Sequence, residues 1–418
     1  MQSANRDNFF QTDPTSLSDT TYENDRASEA EHARKAAKAG NKNGDPLRMK
    51  SKILAAVPDP ASPSTSIFIA ESAGYVRRVN LDSSESKTTY RGPKAPVTCL
   101  AIGGSPESRT VFAGSWDKDI WTWSVDSAAP GRKFSGHTDF VKTVACARLA
   151  GKDILISGGA DKKIMVWDVE TGRRLHVLQD PSTTMLAVQH LAVDPLLSTP
   201  EAVVFASASS DPHIRRWRVT PSSAEQVTES FPDRPGAERP TIEEHETSVY
   251  RLVYEADDVE DEDGANLWTA SADGTAKCLS RSRGFVTDDT FHHGDYVRAV
   301  AVTDDWVITA GRSEDVKIWD RASGKLYCAL EGHFDEVTDL VLLPDAATGR
   351  PAARVCSVGI DGTIRTWPLA RKELDEVVDK IKAAAAAELE QKKGEEKQGG
   401  DGLLTAEEEA ELAELMDD

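Results

Sequence analysis

The sequence of 418 residues has few cysteines and no long apolar run. Its five cysteines are scattered, odd in number and without a CxxC pair, which argues against a disulfide framework or a cysteine zinc site. We interpret them as small buried apolar residues in a reducing compartment. No stretch approaches the roughly 18 apolar residues of a membrane span, and the start, MQSANRDNFF, lacks the basic-then-apolar order of a signal peptide. We therefore expect a soluble cytoplasmic or nuclear protein that does not bind membranes.

Positive charge is also scarce. The chain has 49 lysines and arginines against 70 aspartates and glutamates, a net charge of −21. Residues 371–418 hold 16 acidic and 7 basic residues, and residues 255–263 hold seven acidic residues and no basic one. Because such a surface repels phosphate backbones, we expect no direct binding of nucleic acid. Other proteins, basic ones in particular, are the partners that this charge favours, although the loop at 255–263 also suits a merely solvated segment.

Catalytic motifs are missing as well. The sequence contains no HExxH, no GxSxG and no GxGxxG after a strand. We therefore expect no enzyme activity, no cofactor and no metal site. Three arginines at 215, 216 and 218 flank Trp217 in a predicted strand, where we expect them to form a solvated face.

A repeated pattern is what the sequence does contain. Its clearest copy is GHTDFVKTVACARLAGKDILISGGADKKIMVWD at 136–168: a Gly-His, two alternating apolar runs, an Asp-led turn and a Trp-Asp. Alternation with period two predicts β-strands. Copies with decreasing completeness bring the number to seven, at 53–79, 96–123, 136–168, 188–217, 245–279, 293–320 and 332–367. Residues 49–370 give each copy about 46 residues, enough for a four-stranded unit.

The repeats resemble the WD-repeat β-propeller family across residues 49–370. The resemblance implies an all-β, seven-bladed propeller in which a His, a Ser or Thr, an Asp and a Trp form a hydrogen-bonded relay within a blade. Two copies carry all four relay residues, namely His137, Ser157, Asp161 and Trp167, and His333, Ser357, Asp361 and Trp367. These residues are expected to be structural.

The other copies depart from the full pattern. In the copy at 293–320, Ser313 stands where the relay has Asp, and in the copy at 245–279 Leu279 stands where it has Trp. The copy at 188–217 lacks the His, and the first two copies retain still less.

Two tails flank the propeller in the predicted domain organisation. Residues 1–48 form a polar, partly helical N-terminal segment, and residues 371–418 form an acidic helical tail. An apolar stripe that includes Leu374, Val377 and Ile381 gives the tail a helix face, which we expect to pack on the propeller or on a partner helix.

The last copy ends without an outer strand, because the chain turns helical soon after Trp367. Propellers of this family often borrow that strand from the other terminus. Asn8–Gln11 is the apolar stretch nearest the N-terminus, so we predict that it pairs with the last blade and closes the ring.

These features favour a non-enzymatic scaffold or adaptor for protein–protein interactions, monomeric in itself and part of a larger complex. One alternative is a dedicated chaperone or escort of a basic client, such as a histone or a ribosomal protein. Another is a substrate receptor of a ubiquitin ligase, although neither Trp167-Asp168-Val169-Glu170 nor Trp319-Asp320-Arg321-Ala322 matches the Trp-Asp-x-Arg common in that group.

A binding surface also follows from the resemblance. In this family the start of each innermost strand and the turn before the relay Asp line one rim of the central channel. Trp, Tyr and Arg are the residue types enriched in binding hot spots. By offset from the relay His, the predicted partner-binding rim comprises Trp116, Phe140, Lys142, Tyr250, Tyr296, Arg298, Arg312 and Glu336.

Overall fold

Alternating apolar residues separated by tight turns build seven four-stranded antiparallel sheets. The computed structural model describes residues 33–36, 38–83, 86–180, 183–231, 236–255, 265–345, 348 and 352–399. The predicted strand at 8–11 and nearly all of the acidic segment 255–263 lie outside these residues.

The first four sheets follow chain order, and each is one blade. Blade 1 contains β2 (Ile53–Pro58), β3 (Ser66–Glu71), β4 (Tyr75–Asn80) and β5 (Ser86–Arg91). Blade 2 contains β6 (Val97–Gly103), β7 (Thr110–Ser115), β8 (Asp119–Ser124) and β9 (Phe134–Ser135). Blade 3 contains β10 (Val141–Leu149), β11 (Lys152–Gly159), β12 (Ile164–Asp168) and β13 (Arg174–Leu178). Blade 4 contains β14 (Val188–Val193), β15 (Val203–Ser209), β16 (Arg215–Val219) and β17 (Ala224–Val227).

Three more blades complete the set. A small ribbon of β18 (Glu229–Ser230) and β19 (Glu238–Arg239) precedes them. Blade 5 contains β20 (Val249–Tyr254), β21 (Leu267–Ser271), β22 (Thr275–Ser280) and β23 (Val286–His292). Blade 6 contains β24 (Val297–Val302), β25 (Trp306–Gly311), β26 (Val316–Asp320) and β27 (Leu326–Leu330). Blade 7 contains β28 (Val337–Leu343), β29 (Arg354–Gly359), β30 (Thr363–Pro368) and, from the N-terminal side, β1 (Leu47–Arg48).

The first strands of successive blades contact one another around a closed circle, with blade 7 against blade 1. Apolar side chains fill the spaces between blades. Between blades 7 and 1, for example, Val341 and Val358 pack with Ile53 and Ile69, all of them buried. A four-stranded sheet cannot cover both of its own faces, so the ring of blades buries what each sheet alone would expose. The protein is thus a seven-bladed β-propeller.

Ring closure uses a different segment from the one that the sequence predicted. Leu47 pairs with Ile364 and Arg48 with Thr363, so the fourth strand of blade 7 is β1 and not Asn8–Gln11. The backbone N–H of Thr366 also donates to the carbonyl of Gly44 at 2.9 Å. The prediction was wrong in its residues because a two-residue strand is too short to show alternation.

The described residues of the C-terminal unit, which begins at Ala370, form a single helix, α1 (Arg371–Gly399). No helix in the described part of the chain combines the length and the hydropathy that a membrane crossing requires. How the apolar stripe of the tail is covered stays a prediction.

The cysteines carry no disulfide, and four of the five are buried. Burial raises the pKa of the Cys99 and Cys356 thiols to about 12. They are therefore protonated at neutral pH and act as small apolar residues of the blades.

Candidate partner-binding rim

Blade 3 contains a continuous hydrogen-bonded relay. The Nδ1 of His137 lies 3.0 Å from the carboxylate of Asp161, and its Nε2 lies 2.8 Å from the hydroxyl of Ser157. The indole N–H of Trp167 donates to the same hydroxyl at 2.9 Å. Because a carboxylate only accepts, Nδ1 carries the proton and the Ser157 hydroxyl donates to Nε2. Every polar group of the relay is thereby satisfied in a buried position.

Blade 7 repeats this geometry. The Nδ1 of His333 lies 2.9 Å from Asp361 and its Nε2 lies 2.8 Å from Ser357, which accepts from Trp367 at 3.0 Å. Burial acts to raise the pKa of Asp361, but hydrogen bonds from His333 and from Thr363 outweigh it and hold the pKa below its ordinary value. The carboxylate stays ionised and fixes the ring.

Blades 5 and 6 have incomplete relays, and the two differ in ring orientation. In blade 5, the Nδ1 of His245 lies 2.7 Å from Asp273. In blade 6 the histidine is reversed, so that the Nδ1 of His293 faces Thr309 at 2.8 Å and its Nε2 faces Ser313 at 2.7 Å. A serine brings no negative charge. Burial, followed by the charge of Lys317, lowers the pKa of His293 to about 4.

Blade 4 lacks the histidine and uses an arginine instead. Arg215 is fully buried, and its guanidinium donates to Asp180 at 2.6 Å, to Asp211 at 3.0 Å and to the hydroxyl of Thr183 at 2.6 Å. The indole of Trp217 still donates to the Ser207 hydroxyl, at 2.8 Å.

The expected solvated face of arginines in blade 4 is therefore wrong. Arg215 and Arg216 are both buried, and Arg218 alone is exposed. Arg216 pairs with Asp194 at 3.0 Å and with Glu229 of the ribbon at 2.6 Å. A middle strand of a blade is covered on both faces, so charged residues there must find partners, and these come from distant parts of the sequence.

Most of the predicted rim residues lie together in the central channel. A cavity of about 680 Å³ opens there between the innermost strands. Five of the eight residues line it, namely Trp116, Lys142, Tyr250, Arg298 and Glu336. The other three lie outside that lining, namely Phe140, Tyr296 and Arg312.

Aromatic and charged side chains of the rim contact one another. The rings of Trp116 and Phe140 stack with centroids 4.8 Å apart and planes 13° from parallel. The guanidinium of Arg298 lies 4.4 Å from the ring centroid of Tyr250 and pairs with Glu336 at 3.1 Å. These contacts restrain the large side chains, and restrained side chains lose less conformational entropy in an interface.

The three residues outside the cavity extend the rim. The guanidinium of Arg312 lies 5.2 Å from the ring centroid of Tyr296. Phe140 is 38% exposed and Tyr296 is 44% exposed, although residues of this size are usually covered. The rim thus presents apolar area beside polar groups, as binding surfaces do.

Sequence reasoning missed a second set of residues at this mouth. Arg251 of blade 5 pairs with Asp339 of blade 7 at 3.2 Å, and Asp339 also accepts from the backbone N–H of Ala56 in blade 1, at 3.1 Å. Three blades are thereby joined across the channel. The partners are distant in sequence, and neither residue belongs to the repeated pattern, so no local signal marks them.

The N-terminal segment also reaches the rim. The guanidinium of Arg34 makes two hydrogen bonds to Glu314, both at 2.6 Å, and Lys38 pairs with the same carboxylate at 2.9 Å. Lys35 pairs with Asp335 at 3.0 Å and lines the cavity. Ser28 and the residues before it lie outside the described part of the chain. The ion pairs of Arg34 with Glu314 and of Lys35 with Asp335 place the helical residues 33–36 against blades 6 and 7.

The geometry offers binding groups but no metal-ligand cluster. Within the ranges that the structure describes, no group of three or more His, Cys, Asp or Glu side chains is arranged to hold a metal ion. The relay histidines are engaged by their own blades, as the distances above show.

Two family models match parts of this chain. One is described as WD domain, G-beta repeat, and matches residues 84–124 and 324–368. The other is described as the tRNA methyltransferase TRM82 WD40 domain, and matches residues 133–234. The matched segments lie in the propeller.

Several fungal proteins are similar to this chain. The uncharacterized WD repeat-containing protein C126.01c of Schizosaccharomyces pombe is 28% identical over 395 residues, covering 92% of this chain and 95% of that protein. Nuclear distribution protein nudF of Aspergillus niger is 27% identical over 243 residues, covering 58% of this chain and 48% of that protein. Nuclear distribution protein PAC1 of Coccidioides posadasii is 24% identical over 316 residues, covering 70% of this chain and 61% of that protein. With its ring of seven blades and its His–Ser–Trp relays, this chain is a WD-repeat β-propeller protein.

Proposed function

We propose that this protein is a non-enzymatic scaffold, nuclear or cytoplasmic, that binds other proteins through the rim defined above. WD-repeat propellers generally serve as protein-interaction platforms. The observation that carries the proposal is the clustering of Trp116, Tyr250 and Arg298 around one cavity mouth. Such residues bury large areas and keep a polar group for orientation, and they dominate the binding energy of many interfaces.

The test is a rim variant in the full chain, Trp116→Ala/Tyr296→Ala/Arg298→Ala. A matched control is Leu197→Ala/Leu326→Ala, because both leucines are 48% exposed and neither belongs to the rim. Each form is purified from cells with its interactors, which are quantified by mass spectrometry, and its melting temperature is measured. We expect the rim variant to lose at least one major interactor while folding normally, and the control to retain all of them.

If the rim variant keeps every interactor of the wild type, the proposed surface is wrong. The acidic tail at 371–418 then becomes the leading candidate. Its net excess of nine negative charges supports a second function, chaperoning a basic client such as a histone or ribosomal protein. That function predicts a complex that is lost on truncation after residue 370 and weakens steeply with salt.

The match of residues 133–234 to the TRM82 model favours a third possibility, a non-catalytic role beside a tRNA methyltransferase. The net charge of −21 favours contact with the enzyme rather than with tRNA. Recovery of a methyltransferase in the same purification, with no RNA after nuclease treatment, would support this role.

A further inference from the structure

The charge of the channel mouth is opposite to that of the whole chain. The protein carries a net charge of −21, yet the cavity of about 680 Å³ at the rim is lined by more basic than acidic side chains. The basic ones are Lys35, Lys52, Lys142, Arg251 and Arg298. The acidic ones are Asp335, Glu336 and Asp339. A local positive field in a strongly acidic protein points to a ligand group of negative charge.

Each carboxylate of the lining already has a basic partner. Asp335 pairs with Lys35, Glu336 with Arg298 and Asp339 with Arg251. In each of these pairs one positive and one negative charge neutralise each other.

Lys142 of the same lining takes no part in these pairs. Its side chain is half-buried in β10 of blade 3, and no described residue forms an ion pair or a side-chain hydrogen bond with its ammonium group. Burial lowers the pKa of Lys142, and the positive charge of Arg298 lowers it further, while the negative charge of Asp139 acts in the opposite direction. Lys142 and Arg298 therefore lie close enough in the same cavity lining to repel each other, although Arg298 also pairs with Glu336. A bound anion would relieve their repulsion.

Aromatic groups flank these cations. Trp116 and Tyr250 line the same cavity, and Tyr250 lies against the guanidinium of Arg298. The volume accommodates a side chain together with its adjoining peptide groups, and the aromatic rings supply apolar walls.

We propose that a negatively charged group of a partner peptide, a carboxylate or a phosphate, binds between Lys142 and Arg298 at the mouth of the channel. This inference rests on the proposed function and specifies the chemistry of the partner at that site. Arg298 supplies planar N–H donors and Lys142 a point charge, the two donor types that proteins use for oxyanions.

The experiment measures binding of labelled decapeptides to the full-length protein by fluorescence polarisation. The probes are deca-glutamate, a peptide of alternating glycine and phosphoserine, and deca-lysine. The test variant is Lys142→Met, which keeps the apolar stem and removes the charge without breaking an existing pair. Lys325→Met is the matched control, because Lys325 is exposed on the turn after β26.

We expect an acidic probe to bind wild type and the control equally, and to bind Lys142→Met about tenfold more weakly, the loss of one charge-assisted contact. Binding of both acidic probes identifies a carboxylate as sufficient, whereas binding of the phosphoserine peptide alone identifies phosphate. The inference is overturned if only deca-lysine binds, if no probe binds, or if Lys142→Met binds the acidic probes as tightly as wild type. These failures leave the scaffold function standing, since that is decided separately by the interactors of the triple rim variant.

Discussion

Blades 3 and 4 solve the same packing problem with different chemistry. Blade 3 satisfies its buried Trp–Ser pair with a histidine and one carboxylate, His137 and Asp161. Blade 4 places a permanently charged arginine against two carboxylates, Asp180 and Asp211. The arginine loses more hydration on burial, so more partners are needed to offset the loss. The two blades show that different side chains can satisfy buried polar groups in this part of a blade.

Blade 6 lies between these cases. Its histidine is present, but Ser313 replaces the carboxylate and the ring is reversed. Without the negative charge, the buried ring of His293 resists protonation, and its pKa falls to about 4. The stability of the three blades should therefore respond differently to mutation and to pH.

The largest expected effect comes from breaking the network of blade 4. Asp180→Ala leaves the buried guanidinium of Arg215 with only part of its partners, so we expect a loss of about 3–5 kcal/mol in the free energy of unfolding. Urea denaturation at pH 7 measures it. Arg218→Ala on the same strand is exposed and should stay within about 0.5 kcal/mol of wild type. A loss of under about 1 kcal/mol for Asp180→Ala would show that Asp211 alone is enough to stabilise the buried guanidinium of Arg215.

A smaller effect is expected from pH in blade 6. The pKa of His293 is about 4 in the folded protein and 6.5 in the unfolded chain, so the unfolded chain binds the proton first as the pH falls. This group should reduce stability by up to about 3 kcal/mol between pH 6.5 and pH 4, and should have no effect above pH 7.

Ser313→Asp tests this prediction. A carboxylate beside His293 favours the protonated ring, so the variant should lose less stability than wild type between pH 6.5 and pH 4. Urea midpoints across this range give the comparison, and Ser222→Asp on an exposed turn serves as the matched control. Parallel curves for wild type and Ser313→Asp would contradict the assignment to His293.

The smallest effect on stability is expected from a substitution that weakens the relay of blade 3 but keeps the size of its side chains. Asp161→Asn keeps the shape of the side chain but replaces the charged carboxylate that accepts a hydrogen bond from His137. We expect this change to lower the free energy of unfolding by about 1.5–3 kcal/mol at pH 7. The pKa of Asp161 is lowered in the folded protein, so its contribution exists above the unfolded pKa of about 4 and is lost as the pH falls further. The difference in the free energy of unfolding between wild type and Asp161→Asn should therefore become smaller below pH 4. Asp126 is exposed, so Asp126→Asn should have the same free energy of unfolding as wild type at every pH.

The sequence alone determined the seven-bladed fold and the position of the relay residues in blades 3 and 7. Both depend on a pattern that lies within about 30 consecutive residues and recurs along the chain, so local alternation and turn residues were enough. The pattern also identified five residues that line one cavity. Residues at the same position in different repeats lie at the same level along the axis of the propeller, so their clustering could be predicted. Their role in binding stays a prediction.

Only the tertiary structure decided how the ring closes and which charges are buried. Leu47 meets Ile364, Arg215 meets Asp180, and Arg251 meets Asp339 across the channel. Each of these contacts joins residues from different repeats or from outside the repeats. A charge in a strand looks solvated until the neighbouring blade covers it, and its partner is then chosen by distance in space, which the order of residues along the chain does not reveal.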